Sequence, residues 1–320
     1  YANTIDAQAQ LDSCTVRYAG GSGNDGGIRV LNADPTIVRC LIEKNYRFGL
    51  RVEPGNTSGV GIHHNLIRDN TTIELVATPQ ALANLVPNNT VMPSADGRFN
   101  AYEVRGVTLT SSVTLPKPPA GFCYSVTPGE QIRMEAAGSP VLTIADGTVV
   151  KLSGSSYFLS GETAAGALRA KGVIFTSAAD DTLNDTNGDG TASTPAAGNW
   201  QGLYFYANTI DAQARLDSCI VRYAGGSSNN NGIHLLNADP TITRCVIEKN
   251  TGYGIQVDAG TTTASGITGN AIRDNTSYEV RAPLAPAVAI LNNNSLDADL
   301  WLLLYAIAGI EDRSVFPAKF

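Results

Sequence analysis

The sequence predicts an all-β protein, a parallel β-helix solenoid with coils of about 22–26 residues. Three observations predict it. The first is a long internal repeat: residues 1–52 recur as residues 206–257, with roughly three quarters of the positions identical, at an offset of 205 and without a gap. A fixed long period marks a repeat architecture. The second is a shorter repeat inside it. Leu11-Asp-Ser-Cys14-Thr-Val16-Arg17, Ile37-Val-Arg-Cys40-Leu-Ile42-Glu43 and Ile62-His-His-Asn65-Leu-Ile67-Arg68 share one pattern, with steps of 26 from Cys14 to Cys40 and 25 from Cys40 to Asn65. Cys219, Cys245 and Asn270 repeat both steps. The third is local: apolar residues alternate over a few positions, and Gly, Asn and Asp punctuate them, which is strand-and-turn patterning.

Short strands recurring at this spacing stack as coils, because no coil can bury its apolar face alone. Equivalent residues then lie one above another, about 4.8 Å apart. The register predicts ladders. Val16, Ile42 and Ile67 form an inward aliphatic stack, and so do Ile28, Leu50 and Ile73. Cys14, Cys40 and Asn65 stack at a turn, as do Cys219, Cys245 and Asn270. One step outward, Arg17, Glu43 and Arg68 alternate in charge, and Arg222, Glu248 and Arg273 repeat the alternation. Opposite charges on neighbouring strands contribute roughly 0.2–1 kcal/mol per pair, so the alternation supports the register.

Charged residues make up 16% of the chain and the net charge is −7. That argues against a nucleic-acid partner, which would require basic patches. No apolar run approaches the length of a membrane span; the nearest surrounds Asp299-Leu-Trp-Leu-Leu-Leu-Tyr305. The chain shows neither an initiator Met nor a signal peptide, so it is expected to be a processed form or a fragment. Four of the five cysteines fall in two copies of one spacing. A small apolar stack, a disulfide between adjacent coils and a metal site are the alternatives, and the lack of a nearby His pattern disfavours zinc.

In chain order, residues 1–76 read as three coils. Residues 77–100, with three prolines, read as irregular coils or loops. Strands resume at Tyr102-Glu-Val104, Val107-Thr-Leu109 and Val113-Thr-Leu115, and the cluster Pro116-Lys-Pro-Pro119 punctuates them. The matching part of the second copy is Leu304-Tyr-Ala-Ile307, Ala-Gly309-Ile310 and Ser314-Val-Phe-Pro317. The division is therefore expected near residue 118: residues 1–117 are the back part of one cassette and residues 118–320 a complete one. Neither end carries a visible cap, so further cassettes or other copies of the chain, stacked end to end, are the expected partners.

TIADGTVVKL, AKGVIFTSAADD and DTNGDGTASTPAAGNWQGLYF, spanning residues 143–205, resemble the right-handed parallel β-helix cassettes of large bacterial secreted and cell-surface proteins. The coils that follow resemble the pectate-lyase-like β-helix repeat. The resemblance covers nearly the whole chain. It implies a right-handed coil and an extracellular or cell-surface location. It implies little about activity, because one scaffold carries lyases, hydrolases, adhesins and stalks.

Candidates for chemistry are few. Asp185-Thr-Asn187-Gly-Asp189-Gly190, preceded by Asp180 and Asp181, matches the first half of a calcium loop of EF-hand type. The closing Glu is missing, since Ala196 stands there, so Asp180 or Asp181 would complete the shell around a calcium ion that stiffens the loop. A lyase or hydrolase would require clustered carboxylates. Glu43, Glu74, Glu248 and Glu279 each read as a rung of a charge ladder or a lone exposed residue. Arg29 and Arg51 would stack as like charges; the second copy has His234 and Gln256 there. His63 and His64 would point to opposite faces of one extended strand. Trp200, Tyr204 and Tyr206 could stack on sugars or pack on the core. The patch Tyr46-Arg-Phe48 becomes Thr251-Gly-Tyr253 and reads as solvated. The chain is expected to be a structural stalk, sheath or filament, and an enzyme is not favoured. The alternative is an extracellular lyase, hydrolase or adhesin module that meets cell-surface glycans.

Overall fold

The computed structural model describes residues 8–21, 26–55, 57–94, 96–226, 230–297 and, for the backbone, 303–305. Within them the chain is a β-solenoid in which every pairing between named strands is parallel. One sheet of 11 strands runs its length, giving about 11 coils. Sheets of three, four, six and eight strands complete the other two faces. Each regular coil has three short strands. In the second coil these are Thr36–Val38, Leu41–Glu43 and Leu50–Val52.

A residue in the left-handed region makes the tight corner between the first two strands. Ser13, Arg39 and His64 have φ of 54, 53 and 60°, and Ser218 and Arg244 have φ of 55 and 56°. After the corners at Arg39, His64 and Arg244 the next side chain bonds the backbone of a neighbouring coil. Cys40 N–H donates to Asn65 Oδ1 (2.9 Å) and Cys245 N–H to Asn270 Oδ1 (2.7 Å). Asn65 and Asn270 bond in turn to Asn89 and Asn294. Cys14, Cys40, Cys219 and Cys245 sit in this column as free thiols, and Cys219 N–H donates to Cys245 Sγ at 3.4 Å. A second asparagine column, not anticipated, runs through Asn45 and Asn70 and through Asn250 and Asn275 (2.9 and 3.1 Å).

The predicted ladders are mostly in place. Val16 pairs with Ile42 and Ile42 with Ile67. Arg17, Glu43 and Arg68 share a rung column, with Glu43 buried between the guanidinium groups at 2.9 and 3.0 Å. In the second copy Arg222, Glu248 and Arg273 align, and Arg273 bonds Glu248 at 2.9 Å. One member was misplaced. Above Ile28 and Leu50 lies Leu75, not Ile73. Glu74 supplies the carbonyl that receives Leu50 N–H, so this face advances by the same 25 residues as its neighbour. Ile73 instead packs outside, with Phe48, Val76 and Phe99.

Two further expectations change. Residues 77–100 contain a helix, α1 (Pro79–Asn88), in place of a first-face strand. Thr78 caps it, Pro79 occupies the first turn where no N–H is required, and Ala81, Leu82, Leu85 and Val86 face the core. Residues 284–293 repeat it as α2 (Leu284–Asn293). The histidines also come together: the strand ends at His63, His64 takes the corner, and their Nδ1 atoms lie 2.7 Å apart. The expected strands at 102–115, 141–152 and 167–176 form. Those expected at 304–317 lie outside the described residues, apart from the backbone of Leu303–Tyr305. Among the described residues no helix is long and apolar enough to cross a membrane.

Candidate functional site

The outer face of the 11-stranded sheet carries the chain's most unusual surface. A column of outward residues climbs it: Glu103, Ser125, Lys151 and Thr176, then Arg222. The segment 178–199 leaves the strand Ile174–Ser177 and folds over this column before the buried Trp200 returns the chain to the core. It reaches past its own coil. Arg98 and Asp185 form an isolated backbone bridge, Asn184 Nδ2–H donates to Gly121 O (3.0 Å), and Gly188 lies against the Phe99 ring.

The five oxygen ligands read from the sequence separate into two groups. Asp181, Asp185 and Asp189 converge, with carboxylate oxygens within 4.8 Å of one another. Asp185 accepts the N–H groups of Gly188 and Gly190 at 2.6 and 2.7 Å, which shapes the turn. Asn187 adjoins, with Nδ2–H donating to Asp189 Oδ2 (3.0 Å) and Ser193 Oγ (2.8 Å). Asp180 turns to the sheet and meets Arg222 (2.6 Å), Thr176 (2.5 Å) and Thr182 (2.6 Å). Burial alone would raise Asp180, yet those bonds hold its carboxyl below the usual range. Asp181 is raised, first by burial and then by Asp189 and Asp185, while Lys151 pulls the other way. Asp181 Oδ1 is buried without a partner. Lys151, itself fully buried, bonds the Asn184 carbonyl. Three hard oxygen donors in mutual repulsion, one of them orphaned, fit a divalent cation.

Beside this loop lies a cavity of about 510 Å³. Phe48, Ile73 and Phe99 form its apolar side, and Glu103, Asn187 and Asn199 are among its polar lining. Burial raises Glu103, against a hydrogen bond from Thr127 and the charges of Arg105 and Arg51. The patch at Tyr46–Phe48 is thus only partly solvated. Tyr46 is exposed, and Phe48 is buried with Arg47 and Arg51 over its ring at 5.1 and 5.4 Å.

The carboxylates sought for catalysis have other partners. Glu74 and Glu279 are not exposed ladder residues. Both are buried, and each accepts the backbone and side-chain N–H groups of Asn70 or Asn275, closing the second asparagine column. The stacked Arg29 and Arg51 are reconciled by Glu53, at 2.9 and 2.8 Å. Its repeat equivalent Asp258 serves His234 (2.8 Å) and Gln256 (2.8 Å). His234 also meets the rings of Tyr204 and Tyr206 at 5.9 and 5.7 Å. Sequence reasoning passed over this cluster, although a carboxylate two residues beyond Arg51 and Gln256 in both copies is its signal. Trp200 is a core residue, its Nε1–H bonding Arg222 O at 2.9 Å. Comparison with known protein families, characterised proteins and solved structures finds no match.

Proposed function

We propose that this chain is part of an extracellular or cell-surface stalk, sheath or filament, built by stacking 205-residue cassettes end to end. One observation carries the reading. The 11-stranded sheet takes strands from both copies of the long repeat without interruption, so the passage between copies is ordinary parallel pairing. A unit joined to the next in that way can be repeated without limit, because each coil offers its successor a complete row of backbone donors and acceptors. The placement outside the cell rests on the resemblance of residues 143–205.

The acidic loop belongs to the same reading. It lies across the passage between the copies, fastened at Gly121, Arg98 and Phe99. A calcium ion held by Asp181, Asp185 and Asp189 would stiffen this clasp. Catalysis on a polysaccharide is less well supported, because Glu43, Glu53, Glu74 and Glu279 are buried in structural bonds.

Electron microscopy of the protein from its natural source tests the proposal. Long rods with an axial period of one cassette are the expected result. Discrete short particles at all concentrations would overturn it and turn attention to glycan binding and cleavage.

A further inference from the structure

The two copies do not occupy the same faces. In the first, the strands of a coil fall in order into the three-, four- and 11-stranded sheets; in the second, equivalent strands fall into the six-, 11- and eight-stranded sheets. Leu41–Glu43 lies in the four-stranded sheet and its equivalent Val246–Glu248 in the 11-stranded one. Leu50–Val52, which completes the coil of Leu41–Glu43, lies seven rungs from Val246–Glu248 along that sheet. The step from copy to copy is therefore seven coils and one face of three. At about 4.8 Å per rung this is an advance of roughly 35 Å.

The second copy begins the same step again. Ser295–Leu296 pairs with Ala271–Arg273 as Thr90–Val91 pairs with Leu66–Arg68. Leu303–Tyr305 pairs at Arg281, whose repeat equivalent Val76 pairs with Glu103. In the first copy the step continues with the strand Val113–Leu115, which packs over α1. The match of that strand beside α2 is Ser314-Val-Phe-Pro317, which lies outside the described residues.

We infer that each further cassette, a second copy of the same unit, joins the solenoid by this same step and so arrives turned by one third of a revolution. The inference rests on the stacking reading above and adds its geometry. The array is a three-fold screw that advances roughly 35 Å per cassette and roughly 105 Å per turn. The acidic loop and the adjoining cavity then appear on successive faces. A lateral partner that recognises one of them meets the same side of the rod only at every third cassette.

Chains extended in frame by one, two and three further 205-residue units, imaged by cryo-electron microscopy, test this. The expected rods lengthen by roughly 35 Å per unit, with the loop density moving round by one third of a turn each time. Lengthening without rotation overturns the screw while leaving the stacking reading intact. Separate, unaligned beads overturn both.

Discussion

Glu74 and Glu279 are the same carboxylate in two copies, and they predict an unusual pH dependence. Each side chain closes an asparagine column in a buried position, and burial pushes each up to about 7 from 4.5, against the hydrogen bonds of Asn70 and Asn275. Between those values the folded chain keeps protons that the unfolded chain has released. Stability therefore falls as pH rises through that window, the reverse of the usual acid denaturation. The gap corresponds to roughly 3 kcal/mol per glutamate, present below about pH 4.5 and lost above about pH 7. The two are remote from each other and share no partner, so their effects add, to roughly 6 kcal/mol. Asp180, Asp217 and Asp258, whose carboxyls are held low, act at more acidic pH. Glu103, also raised by burial, acts in the same direction. Urea unfolding at pH 5 and pH 8, beside carboxyl NMR titration, measures this. The double variant Glu74→Gln, Glu279→Gln retains an acceptor oxygen at each site and no charge, so it is expected to lose most of the slope. Both carboxyls titrating near 4.5, or a parent no less stable at pH 8 than at pH 5, would refute the reasoning.

Three further outcomes are expected. Calcium, followed by titration calorimetry and thermal unfolding, binds and raises the midpoint, and Asp185→Asn with Asp189→Asn removes both effects; a parent indifferent to millimolar calcium contradicts the clasp. Gly188→Ala places a Cβ 2.0 Å from Phe99 Cζ at φ +81°, and the lost docking, about 1–3 kcal/mol, shows as faster proteolysis within 178–199; unchanged cleavage would show that Phe99 does not hold the loop. Arg222→Ala leaves Asp180, whose side chain is 1% exposed, without its cation. The cost is about 3–5 kcal/mol in urea unfolding, and a change under 1 kcal/mol would mean the threonines suffice.

Much of the coil was legible because its signals are local and repeated. The sign alternation of Arg17, Glu43 and Arg68 makes sense only if those residues stack, and it set the register of the second face. The third face was harder. Ile73 and Leu75 both alternate correctly, and the face advances by 22 residues from Ile28 to Leu50 but by 25 from Leu50 to Leu75, so a constant step pointed to Ile73. The helix α1 was hidden by its two prolines, although Pro79 follows a capping Thr and Pro87 falls in the last turn, where neither stops a ten-residue helix. The acidic loop was legible as a ligand pattern, but its direction was not. Arg222 and Thr176 draw Asp180 away, and both lie on strands whose adjacency depends on the fold.

The rotation between copies was illegible for a deeper reason. A corner such as Asp217-Ser218-Cys219 and its equivalent Asp12-Ser13-Cys14 specify the bend between two strands and the rung on which they stack. They specify nothing about which of three faces the strands occupy, because a strand meets the same backbone row wherever it lands. The face is set by everything between the copies: the helix that replaces a strand, the strands resuming at Ala101–Val104, and the excursion at 178–199. Those segments together spend a whole number of coils plus one face. A sequence repeat of constant length can thus be a screw in space, and its pitch is encoded where the two copies are least alike.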